Sequence, residues 1–181
     1  MYRKSAVSPS NPVSCQHSSG FTEYTECEDI AAAYKDRRLP FDIVPASLAE
    51  ASAINGLTRE LGYPAENAET TAWLAALLDS EHHVVLLATS KETVIGWLVA
   101  EKRLTLESGF KGEITGLVVD VRYRGSGAGR QLVQAALQWA QEAGLERLVV
   151  RSNIQRTVSH QFYESLGFRR IKTAHCYEYL G

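Results

Sequence analysis

The feature that most constrains this chain is a glycine-spaced turn joining an apolar run to an amphipathic one. Residues 113–120, Glu-Ile-Thr-Gly-Leu-Val-Val-Asp, read as a buried strand. Shortly after come Arg124-Gly125-Ser126-Gly127-Ala128-Gly129-Arg130. From about Gly127 to Ala143 the apolar residues Leu132, Val133, Ala136, Leu137, Ala140 and Ala143 recur at helical spacing. Gly144 stands where a helix C-cap glycine belongs. The first N–H groups of a helix have no partner inside it and carry partial positive charge, so such an end attracts phosphate. Glycines let the backbone approach an anion without a Cβ in the way, and Arg124 and Arg130 add charge. The stretch therefore points to pyrophosphate binding. A tight turn that binds nothing is the competing reading of the same spacing.

Two other phosphate loops are excluded. A Walker loop needs Gly-Lys-Ser/Thr, and no such Lys follows these glycines. A dinucleotide fingerprint needs G-x-G-x-x-G, whereas Gly125, Gly127 and Gly129 are spaced G-x-G-x-G.

Elsewhere, residues 1–39 read as a Ser- and Pro-containing, disordered extension, with a short helix conceivable over 26–38. The domain is expected over residues 40–181. A strand at 41–44 precedes Ser47 and Glu50, a capping box opening a helix to about Leu61. A second helix is expected from Glu66 to Leu78, with Thr70, Trp73, Leu74 and Leu77 at core spacing. Strands follow at 84–88, 94–100 and 113–120, then the long helix, a strand at 147–151, a helix at 157–165 stopped by Gly167, and closing strands at 168–173 and 176–180. The order is βααβββαβαββ, an α/β fold.

Composition narrows the partners. With 19 Lys+Arg against 21 Asp+Glu, the net charge of −2 gives no electrostatic case for nucleic acid or an anionic membrane. No apolar run reaches the 18 or so residues of a membrane helix, and Met1-Tyr-Arg-Lys is not followed by a signal-like apolar stretch. Cys15, Cys27 and Cys176 lack CxxC spacing, and His82 and His83 point to opposite faces of a strand. No metal or disulfide framework is expected, and a cytoplasmic setting is.

At these residues the chain resembles the GNAT superfamily of acetyl-CoA-dependent N-acetyltransferases. Arg124-Gly-Ser-Gly127-Ala-Gly129 is similar to its R/Q-x-x-G-x-G/A signature, and Phe162-Tyr163-Glu-Ser-Leu-Gly167-Phe168 to its later F-Y-x-x-x-G-F element. The resemblance implies a mixed, mostly antiparallel sheet flanked by helices, and direct transfer from acetyl-CoA to a primary amine, here of a small molecule. Alternatives are a protein or peptide acceptor, or a non-catalytic acyl-CoA-binding module. It also implies that Leu117, Val118 and Val119 splay from the neighbouring strand to meet the pantetheine arm, with the Leu117 amide at the thioester oxygen. Amides of Arg124, Gly125, Ser126, Gly127, Ala128, Gly129 and Arg130 would take the pyrophosphate, and Asn153 a further cofactor contact. Glu113 would be the base, directly or through water, and Tyr163 the acid for the thiolate. Arg156 and Ser159 stand where many members carry Asn and Ala, so Arg156 and His160 become candidates for an anionic group of substrate or cofactor. Tyr63 and Trp73 are candidates for the acceptor wall. The oligomeric state is left open, a homodimer included.

Overall fold

A computed structural model describes residues 41–181; the extension expected over 1–39 lies outside them. Strand β1 (Asp42–Pro45) is followed by Ser47, whose hydroxyl accepts the Ala49 N–H at 3.2 Å while Glu50 accepts the Ser47 N–H at 2.8 Å. This capping box closes the orphan donors of a short 3-10 turn that runs on into helix α1 (Ala51–Glu60). Helix α2 (Asn67–Leu78) follows, then β2 (His83–Ser90), β3 (Thr93–Thr105) and β4 (Gly109–Val119). Helix α3 (Ala128–Glu142), β5 (Leu148–Val150) and α4 (Thr157–Ser165) complete the regular elements.

The five strands form one sheet in sequence order, antiparallel from β1 to β4, with β5 parallel to β4. The apolar run of β2 feeds two cores because successive side chains alternate faces. Leu86 and Ala88, with Ile95, Leu98, Ala100 and Ile114, pack beneath Leu132, Val133 and Ala136 of α3. Val85 and Leu87 pack against Ala51 and Ile54 of α1 and Leu74 of α2 on the opposite face. Leu132 and Val133 are fully buried, each removal from water contributing about 1.5–3 kcal/mol.

One irregularity in β4 organises everything near its end. Val99 pairs with Gly116 but Ala100 pairs with Ile114, so Thr115 is an extra residue, a β-bulge. The bulge puts both Ile114 and Leu117 on the α3 face, where simple alternation would separate them. The ring of Trp97 lies over Gly116, and a Cβ there would come within 2.6 Å of it. Just beyond β4, the buried Asp120 accepts the Arg122 N–H at 2.8 Å and its guanidinium at 2.6–3.2 Å. The Arg122 side chain, helped by Arg124, holds the Asp120 carboxyl below its usual range against the opposing effect of burial.

Two expectations need correction. The closing strands at 168–173 and 176–180 are absent: the last backbone bond is from the Phe168 N–H to the Tyr163 carbonyl, and Ile171, Tyr177, Tyr179 and Leu180 stay exposed. Strands are stabilised by pairing and by a buried face, and this segment has neither. Trp73 is also outside the core, at 56% exposure, while Trp97 and Trp139 pack against the cores.

Gly116→Val should destabilise the fold by about 1–3 kcal/mol, because the new side chain must displace the Trp97 ring; urea unfolding reads this directly. Asp120 has a depressed folded-state pKa, so its contribution is complete above the unfolded value near 3.9 and is lost as pH falls through the folded one. Asp120→Asn should therefore lower the melting temperature at pH 7, with the difference from the parent starting to shrink as the pH drops below about 4 and disappearing only below the folded-state pKa.

Candidate active site

The site begins where two strands part. β4 and β5 pair at Gly112–Leu148, Glu113–Val149 and Ile114–Val150, and no further. Beyond Ile114 the bulge turns β4, so residues 115–119 lose their neighbour on that side. The Asp120 N–H bonds the Ile95 carbonyl at 2.9 Å, which fixes the phase of the β3–β4 ladder. Donors alternate sides along an antiparallel strand. Counting back from Asp120, the N–H groups of Leu117 and Val119 point away from β3, into the opening. The Val119 carbonyl faces the same way and accepts Arg124 Nε at 3.2 Å. Val118 has its own N–H on the β3 side and its side chain is buried.

The glycine turn lies at the mouth of this opening. Gly125 and Gly127 have φ of +80° and +98°, the left-handed region that a Cβ disfavours. Three amides of the turn are already used: Arg124 N–H bonds Val121, Ser126 N–H bonds Tyr123, and Ala128 N–H bonds the Ser126 hydroxyl at 3.3 Å. Those of Gly125, Gly127, Gly129 and Arg130 find no acceptor among the described residues. Four unspent donors at the start of a 15-residue helix make an anion cradle. The Cα of Gly129 faces Phe162, whose ring would lie 3.4 Å from a Cβ placed there. Arg130 Nη2 reaches Ser165 Oγ at 3.5 Å, so α4 is fastened beside the cradle.

Tyr163 follows Phe162 on α4 and meets it and Phe168 edge-on, with ring centroids 5.1 and 5.7 Å apart. Burial raises its phenol pKa above 10.0, and the nearby Arg156 opposes the rise. The hydroxyl therefore keeps its proton throughout the physiological range.

Glu113 is 4% exposed and lies among three cations. Arg151 Nε donates to Oε1 at 2.8 Å, while Arg103 and Lys111 lie 3.5 and 3.8 Å from Oε2. Oε2 accepts no hydrogen bond from the protein. Glu113 pairs across β3 with Glu101, which lies two residues past Val99 on the α1–α2 face. Its carboxylate and the Leu117 side chain thus lie on opposite faces of the sheet. Local charge pairs such as Lys111–Glu113 are visible in a sequence; Arg151 arrives from another strand and is not.

The β5–α4 loop gives its residues structural work. Asn153 Oδ1 accepts the Gln155 N–H at 2.9 Å, and its carbonyl accepts the Arg156 N–H at 2.9 Å and lies 3.0 Å from His160 Nε2. His160 therefore clasps the loop, while the Asn153 amide nitrogen and the Arg156 guanidinium, both on exposed residues, make no hydrogen bond among the described residues. On the other face, Tyr63 and Trp73 do come together. With Thr58, Pro64, Ala65 and Glu69 they line an open pocket of about 390 Å³. Among the described residues, no cluster of three or more His, Cys, Asp or Glu could hold a metal, and no helix is long and apolar enough to cross a membrane.

Comparison with known proteins agrees with this architecture. N-alpha-acetyltransferase 30 of Schizosaccharomyces pombe is 28% identical over 91 residues, half of this chain and 61% of that protein, so the chain spans less than two thirds of it. Aminoalkylphosphonate N-acetyltransferase of Salmonella typhimurium is 33% identical over 115 residues, covering 63% of this chain and 72% of that one. The structure of the aminoglycoside acetyltransferase AAC(6')-Iy in complex with a bisubstrate analogue superposes with a TM-score of 0.72 at 20% identity, covering 78% of this chain and 99% of that one. The family model described as Acetyltransferase (GNAT) family matches residues 51–168, and with the parted strands and the glycine cradle in place, the chain belongs to that family.

Proposed function

We propose that this chain moves an acetyl group from acetyl-CoA directly to the primary amine of a small molecule. The observation that carries this reading is the divergence of β4 from β5 beside four unspent helix-start amides. Gly125, Gly127, Gly129 and Arg130 would hold the diphosphate, with the remaining turn residues Arg124, Ser126 and Ala128 shaping the cradle. The free edge of Leu117–Val119 would take the pantetheine arm as an added strand does. Asn153 would add a contact from the loop opposite. Acetyl-CoA supplies an acyl group activated as a thioester. The Leu117 N–H, with no partner in the sheet, would stabilise negative charge on the carbonyl oxygen as the amine nitrogen bonds the carbon.

As the C–N bond forms and the C–S bond breaks, the nitrogen gives up two protons, one before attack and one from the tetrahedral adduct, the sulfur takes up one, and one leaves to solvent. An alkylammonium with pKa about 10.4 must lose one, which costs roughly 4–5 kcal/mol at pH 7. Glu113 would accept it through a relaying water, its Oε1 held by Arg151 and its Oε2 lying near Arg103 and Lys111. The departing sulfur must gain one, and Tyr163, kept protonated by burial, would deliver it. A peptide acceptor is the second reading, favoured by the S. pombe relative named an N-alpha-acetyltransferase.

Release of CoA from acetyl-CoA, measured across parallel panels of small amines and peptides with product mass confirmed, tests the reaction and separates the two acceptors. Glu113→Gln should lower kcat about 100-fold at pH 7 and much less near pH 10, where the amine is already free. A loss equal at every pH would count against the base. Tyr163→Phe should slow turnover by a factor of about 100 and leave the KM for acetyl-CoA nearly unchanged; a large rise in that KM would assign Tyr163 to binding.

A further inference from the structure

The pocket between α1 and α2 has a composition that the amine reaction alone does not require. Tyr63 and Trp73 are 60% and 56% exposed, large aromatics presented to solvent. Glu69 stands with them in the lining. Its Oε2 accepts the Glu66 N–H at 3.0 Å, closing the α2 capping box, and Oε1 has no protein partner. Thr58 turns its hydroxyl back to the Ile54 carbonyl at 2.8 Å and so gives the pocket no competing donor.

The pocket is also held in place. Asn55 is 7% exposed, and its amide nitrogen donates to the Ala65 carbonyl at 3.0 Å and to Thr70 Oγ1 at 2.8 Å. One buried side chain thus ties α1 to both the loop carrying Tyr63 and the first turns of the helix carrying Trp73. A satisfied buried polar clamp fixes geometry, because breaking it leaves unpaired groups in the core. Helix α1 packs against both β3 and β4. The helix pair that lines the pocket therefore covers the face of the sheet that carries Glu113.

We propose that Tyr63, Trp73 and Glu69 form a cation site that binds a second positively charged group of the acceptor, so that the preferred substrates are diamines or polyamines. The proposal deepens the acetyl-transfer reading and rests on it for the word acceptor. Aromatic faces attract an ammonium, more strongly the more it is desolvated, and a carboxylate adds to this. Neither gain is available to a neutral hydroxyl of the same size. The group that reacts would be the amine at the far end of the same molecule.

Binding can be read without turnover. Calorimetric titration of the full chain, in the presence of CoA, should use 1,4-diaminobutane, butylamine and 4-aminobutan-1-ol. The diamine should bind about tenfold more tightly than the other two. Trp73→Ala should remove most of that advantage. So should Glu69→Gln, which can keep the cap to Glu66 while losing the charge. Equal affinity for the three amines, no binding of any of them, or a diamine preference that survives both substitutions would overturn the proposal. Failure of the acetyl-transfer reading would look different: diamine binding intact, with no CoA released from acetyl-CoA by any amine.

Discussion

The bulge at Thr115 is the constraint on which the site depends. An extra residue in β4 sharpens the local twist and ends the pairing with β5 after three residues. It also resets the alternation of the strand, so that Leu117 and Val119 turn their N–H groups outward, where no strand receives them. Unpaired backbone donors inside a sheet are costly unless something fills the gap. A fold that leaves two such donors at the same place as a helix start with four more has built a slot for an extended, phosphate-ended ligand. Gly116 permits the arrangement, since only a residue without a side chain lets Trp97 close over the bulge.

From that slot the rest of the chemistry is arranged on two faces. The α3 face carries Phe162 and Tyr163, pressed against the cradle through Gly129. The α1–α2 face carries Glu113, ringed by Arg103, Lys111 and Arg151. On the proposed reading, Tyr163 and Glu113 would approach the reacting carbon from opposite faces of the sheet. The three cations also fasten β3, β4 and β5 together just before the strands separate.

Much of this was legible in the sequence, and the reason is local. The capping box at Ser47, the glycine after α3, the stripe on α3 and the turn glycines all depend on neighbours within a few residues, and each appears where its spacing predicted. The helix expected at 157–165 and stopped by Gly167 is also found. What could not be read depends on distant partners. Nothing in Glu113-Ile-Thr-Gly announces a bulge, because the bulge is defined by its register with Val99. Arg151 meets Glu113 only through parallel pairing across a 15-residue helix. The helical period that put Trp73 in the core was real, but α2 is wide enough to bury Thr70 and Leu74 while leaving Trp73 at the pocket rim. Alternation alone predicted strands after Phe168, where no neighbouring strand is available to pair with them.

The account stands or falls on six main-chain donors acting together. Nuclear magnetic resonance of the nitrogen-15-labelled chain, titrated with CoA, observes each of them separately. The account predicts saturable shifts of the Leu117, Val119, Gly125, Gly127, Gly129 and Arg130 amides with one common dissociation constant. If CoA left those six resonances in place, or moved only residues elsewhere on the sheet, the parted strands would not be its binding site.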